Sequence, residues 1–172
     1  MVWLIVCALA ALAVAAAIGI RRGLRRLERE VREAWGALEA QLRKREELMT
    51  RIIELCGRLM REEPETLERA RAAGIAVLAA ASRADIPALA AALEAQRTAS
   101  GDLLTVAGGY PQLAGSAAFA ALVARVDELD SRVAARREQY NGAASLMNLR
   151  CAAFPHRLAV RPFGFTPAHL LP

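Results

Sequence analysis

The sequence predicts an all-α protein: an N-terminal transmembrane helix followed by an up-down-up antiparallel bundle of long helices with an extended C-terminal tail. Three observations carry that prediction. Residues 2–20 are apolar or glycine without interruption. Beyond them, apolar residues recur every three or four positions over long stretches, the spacing of one helix face. The composition is also that of helices: 55% hydrophobic but only 5% aromatic, with alanine, leucine, arginine and glutamate prominent and β-branched residues sparse.

Residues 1–20 form the predicted anchor. At a rise of about 1.5 Å per residue, the apolar stretch spans roughly 28 Å, close to the hydrocarbon thickness of a bilayer. A cleaved signal peptide would carry a basic region ahead of the apolar run, and only Met1 precedes it. Directly after the stretch come Arg21, Arg22, Arg25, Arg26 and Arg29. By the positive-inside rule this cluster predicts the N-terminus outside and the bundle on the cytoplasmic side of the inner membrane, with these five side chains at the anionic leaflet. The formal charge of +5 does not imply nucleic acid. A nucleic-acid surface spreads its Lys and Arg along a whole face, whereas the later helices here mix Arg with Glu and Asp.

The bundle is expected over residues 21–154. The first helix carries a heptad seam of Leu24, Leu27, Val31, Ala34, Leu38, Gln41, Arg45, Leu48, Ile52, Leu55 and Leu59. It breaks at Glu63-Pro64, with Pro64 suited to the first turn of the next helix. A second helical stretch runs from about 65 to 107, interrupted at residues 83–87, where Asp85 can cap the restart and Pro87 sits in its first turn. Gly108-Gly109-Tyr110-Pro111 ends it. The third helix starts near Ser116, a suitable N-cap. Its seam is Phe119, Leu122, Val126, Leu129, Val133, Arg136, Tyr140, Ala143, Met147, Arg150 and Phe154. Short connections imply antiparallel neighbours, giving a rod about 55 Å long. Residues 155–172 are too rich in proline for helix and are expected to pack back along the bundle as an extended segment.

Polar residues interrupt both seams. An up-down-up order sets Gln41, Arg45, Asp85 and Arg136 at one height, with the Tyr140 hydroxyl beside them. Guanidinium groups in a seam are costly unless paired, so one expectation is a buried polar layer. In it Asp85 or a neighbouring glutamate accepts from Arg45 or Arg136, and its role is to fix register. The other is that the arginines lie sideways and cover the seam with their stems. The same order makes the first and third helices parallel and puts Cys56 and Cys151 near one end; otherwise the three cysteines read as small buried hydrophobes.

Catalytic chemistry is not legible. His156 and His169 lie in the tail without Cys, Asp or Glu at ligand spacing, so no metal site or other cofactor is expected. Glu46-Glu47 and Glu62-Glu63 read as solvated, ion-paired faces. There is no phosphate-binding loop, nucleophile elbow or dinucleotide fingerprint. Phe163 and Phe165, with Gly164 between them, read as apolar caps of the bundle once the tail folds back. The alternative is a latch that exposes an apolar groove.

The segments AWGALEAQLRKREELM, TLERARAA, YPQL, ARREQYN and FPHRLAVRPFGF occur in the order and spacing of the LemA family of bacterial membrane proteins, which the chain resembles from the apolar stretch to Phe165. The matching positions include Trp35, Tyr110, Pro111, Arg137, Asn141, Phe154, Pro155, Gly164 and Phe165. The chain departs from the pattern at Glu46-Glu47-Leu48-Met49-Thr50-Arg51-Ile52, where the family has His-Asp-Leu-Ile-Pro-Asn-Leu. It departs also at Asp130-Ser131 (Glu-Asn in the family) and Met147-Asn148 (Tyr-Asn). The resemblance implies an N-terminal anchor and a bundle of long antiparallel helices, and no defined activity.

Two classes of function fit these observations. The first is a non-enzymatic, single-pass scaffold or interaction module, whose partners are the lipid surface, other membrane or cytosolic proteins, and further copies of itself. The second is a structural protein that shapes the membrane by lateral self-assembly. An enzyme is not expected, because acid and base residues do not converge.

Overall fold

The computed structural model describes residues 1–153 and 166–172, the side chains of Val2 and Ala13 excepted. It contains α1 (Val2–Leu59), α2 (Pro64–Ser82), α3 (Ile86–Gly108), α4 (Pro111–Ala114) and α5 (Ala117–Ala152). No strand occurs among the described residues. The chain divides into two units. One comprises Met1–Ala34 and Gln139–Leu170, the other Trp35–Glu138 and Leu171–Pro172.

The second unit holds a core of Met49, Ile52, Ile53, Cys56, Met60, Ala70, Leu103, Ala107, Leu113 and Val126, with Tyr110, Phe119 and Leu122 packed against it. The buried stripe of α1 differs from the expected seam. Leu48 and Leu55 are half-buried and Leu59 is exposed, while Leu38, Leu42, Arg45, Glu46, Met49, Ile52, Ile53 and Cys56 are buried. A strict heptad describes one helix facing one partner. Here α1 is covered over a wider arc, and an untwisted helix of 3.6 residues per turn drifts off the 3.5-residue repeat.

Pro64 is the first residue of α2, where a missing N–H costs nothing. The interruption after α2 is a reversal of direction. Ala84 takes a left-handed conformation, φ 51°, and the Asp85 N–H closes the turn onto the Ala80 carbonyl at 3.1 Å. The Asp85 carboxylate then accepts from the Ala88 N–H at 3.1 Å and caps α3. As a result α2 and α3 pair antiparallel, Arg69 facing Asp102 at 3.9 Å, and the expected three passes become four. Replacing Asp85 with alanine should cost about 1 kcal/mol, the usual worth of an N-cap, read as a lower unfolding midpoint in denaturant.

The extra pass also sets the direction of α5. In the second unit Arg45 meets Asp130, and Val126 and Phe119 pack in the cluster that holds Met49 and Cys56. The two helices therefore run antiparallel, not parallel as the three-pass order required. Ser116 caps α5 by accepting from the Phe119 N–H at 3.3 Å. Cys56 belongs to this core, whereas Cys151 packs with Leu24 in the other unit, and both are free thiols. The common end expected for these two cysteines rested on parallel first and third helices, an order that the Arg45–Asp130 contact rules out.

Burial pushes the Cys56 thiol up from its ordinary value near 9 to about 11. An unfolded chain thus loses this proton first, so the stability tied to the neutral thiol is whole below pH 9 and is lost as pH rises through about 11. The loss should be on the order of 2 kcal/mol. Thermal unfolding between pH 8 and 11 should show it, with a flatter slope for Cys56→Ala.

The first unit has a smaller core of Leu24, Met147 and Cys151, with Ile20, Leu27 and Val31 packed against it. Ahead of it, α1 is long and apolar enough to cross a membrane, and none of that apolar window is buried in protein. Trp3, Leu4, Leu9 and Leu12 are among its exposed side chains.

Candidate functional site: a buried ion-pair layer

Charge is buried at one level of the second unit. Arg45 is 8% exposed and Glu46 6%. The Arg45 Nε donates to Asp130 Oδ1, its Nη2 approaches Oδ2 at 3.5 Å, and its Nη1 donates to Glu46 Oε1 at 3.0 Å. Gln96, buried on α3, donates to the same Glu46 oxygen from its Nε2. Gly74 on α2 lies against that carboxylate so closely that a Cβ there would collide with it. Residues from four helices therefore meet here: Arg45 and Glu46 from α1, Gly74 from α2, Gln96 from α3 and Asp130 from α5.

Burial opposes the charge on Arg45, and the hydrogen bond and attraction of Asp130, followed by those of Glu46, more than offset it. The net effect raises its pKa further, so the guanidinium is a permanent cation. Two carboxylates share it, and the half-exposed Asp130 turns its other side to water. This arrangement ties four helices into one register.

Beside the layer a groove of about 740 Å³ opens, lined by Leu93, Arg97, Val133 and Arg137 among others. Leu171 is buried in it, and Arg137 Nη1 donates to the Pro172 carbonyl at 2.8 Å. In the first unit, Asn148 grips the tail backbone twice. Its Nδ2 donates to the Ala168 carbonyl and its Oδ1 accepts from the Ala168 N–H, both at 2.8 Å. The Tyr140 hydroxyl donates to the His169 carbonyl at 2.8 Å.

Of the expected layer, then, Arg45 is in place, and it donates to a neighbouring glutamate, Glu46, and to Asp130 rather than to Asp85. Asp85 is exposed and spent on its cap. Arg136 is exposed. Gln41 is half-buried, its Oε1 without a hydrogen bond. Tyr140 is buried, but its hydroxyl serves the tail. The reversal at Ala84 carries Asp85 to the end of a hairpin and brings Gln96, in the middle of α3, to the layer. Glu46, read from sequence as solvated, is instead central to the layer, and Gln96 carried no signal at all. Trp35 and Asn141 are half-buried; Tyr110 packs on the core of the second unit and precedes Pro111, the start of α4. Phe154, Pro155, His156, Phe163, Gly164 and Phe165 lie outside the described residues. Arg21, Arg22, Arg25, Arg26 and Arg29 are exposed, Arg26 paired with Glu30 at 3.0 Å. Among the described residues no group of His, Cys, Asp and Glu could hold a metal ion.

The sequence model of the LemA family matches residues 34–171. No curated protein matches the chain.

Proposed function

This chain belongs to the LemA family, and from that premise we propose that it is a membrane-anchored, non-enzymatic helical scaffold on the cytoplasmic face of the inner membrane. The observation that carries this reading is the course of α1. One helix passes from an unburied apolar stretch, through five exposed arginines, into packed protein. An apolar helix surface of that length that no described residue covers is suited to lipid, and the arginines after it favour the anionic leaflet by about 1 kcal/mol each. The outward faces carry pairs such as Glu28–Arg32 and Glu39–Arg43, mixed in sign. Surfaces of that kind suit protein partners or further copies of the chain, and the interior layer supports a register-fixing role in place of catalysis.

The test is topology. A cysteine introduced at Thr166, exposed in the tail, should be shielded from a membrane-impermeant thiol reagent in intact cells and become reactive on lysis. Changing Arg21, Arg22, Arg25 and Arg26 to glutamine should abolish the shielding in part of the population, because basic residues beside the span set its orientation. Full labelling of the cysteine at 166 in intact cells, with the arginine cluster unaltered, would overturn the cytoplasmic placement.

A further inference from the structure

Near its C-terminal end, α5 presents an apolar strip that no described element covers. Leu149 is 69% exposed and Leu146 45%, and Ala153, just past the helix, is exposed as well. Their spacing of three and four residues places them on one helix face. The neighbouring face is the packed one: Met147 and Cys151 close over Leu24, which is fully buried. Leu149 lies between those two contacts in sequence, so it shares the level of Leu24 within this unit. Leu24 is itself flanked by Arg21, Arg22 and Arg25, all exposed, and lies one helical turn beyond Ile20, where the apolar stretch ends. Arg150 beside the strip is exposed too.

We infer that the C-terminal turn of α5 is a second membrane contact, with Leu146 and Leu149 inserted at the interface beside the point where α1 leaves the bilayer. This rests on the anchoring reading given above. Its occupant is lipid because the strip adjoins, at one level of the same unit, the exposed apolar surface of α1 and the arginines that would meet phosphate headgroups. Apolar side chains framed by basic ones are the makeup of a segment lying in the interfacial plane. Two leucines and an alanine fall well short of the area a stable dimer buries, which argues against a second copy as the occupant.

A photoreactive benzophenone amino acid, placed singly in the full chain and reconstituted in phosphatidylethanolamine–phosphatidylglycerol vesicles, tests this. Three positions are compared: Leu12 in the apolar stretch, Leu149, and Arg32, exposed on α1 and about 18 Å beyond Ile20 by the helical rise. The expected result is a mass shift of one phospholipid after irradiation at 12 and 149 and none at 32. Lipid adduct at 12 without adduct at 149 overturns this contact and leaves the anchor standing. No adduct at either overturns both. A crosslink from 149 to a second copy of the chain assigns the strip to self-association and overturns the lipid contact. As a second measurement, Leu146→Glu with Leu149→Glu, both exposed and therefore tolerated by the fold, should expose the neighbouring backbone amides to faster hydrogen exchange in vesicles but not in detergent.

Discussion

Arg45→Met should lower stability by about 3–5 kcal/mol, the usual cost of stranding one member of a buried ion pair, and the unfolding temperature by roughly 10 °C for a chain of this size. The cost arises at Glu46, whose side chain is 7% exposed and would keep only Gln96 as a partner. Asp130→Ala removes the other carboxylate, but that group is 47% exposed and solvent screens the pair. Its cost should be about 1 kcal/mol or less. The contrast is the point of the experiment, since a surface pair would give two small and similar losses. Combining Arg45→Met with Glu46→Leu should recover much of the stability, because an apolar replacement of a whole buried pair is often neutral. Thermal unfolding followed by circular dichroism reads all three. A loss below about 1 kcal/mol for Arg45→Met would mean the layer holds nothing together.

Gly74→Ala should also destabilise, against the ordinary trend. Within an exposed helix this change gains up to about 1 kcal/mol. At Gly74 the added methyl would collide with Oε2 of the Glu46 carboxylate, whose other oxygen, Oε1, is already committed to Arg45 and Gln96. A flexible side chain yields cheaply to overpacking; one pinned from two sides does not. The expected loss is about 1–3 kcal/mol. Gly101→Ala, on α3 with open space around it, is the matched control and should stabilise by about 0.5–1 kcal/mol. If both glycines respond alike, the close contact at Gly74 is not a constraint.

The helices were legible because their signals are local. Pro64, Asp85 and Ser116 each stand where a helix begins, and the alternation of apolar residues marks which stretches are long. The reversal after Ser82 was not legible. A capping aspartate followed by proline looks the same whether the chain continues or turns back. The residue that decides it, Ala84, adopts φ 51°, where glycine or asparagine would have advertised the turn. Everything that depended on direction was lost with it: the partner of Arg45, the role of Asp85 and the relation of the cysteines. Arg45 itself could be found, since a cation on an apolar seam calls for an anion. Glu46 could not, because it stands next to Glu47 on an Arg-rich helix and is distinguished only by Gly74 and Gln96 arriving from elsewhere.

The tight turn at Ala84 also bears on the order in which the second unit assembles. The partners in the α2–α3 hairpin are close in sequence, so pairing them closes only a small loop. Arg45 and Asp130 are 85 residues apart, and bringing them together confines a much longer stretch of chain. Contacts of short sequence separation form early, and those that close long loops wait for them. The hairpin is therefore the natural nucleus, presenting Gly74 and Gln96 on a preformed surface. Seating the charged side chains of α1 and α5 closes the longer loop and is expected to follow, so a misaligned α5 would leave Arg45 without Asp130.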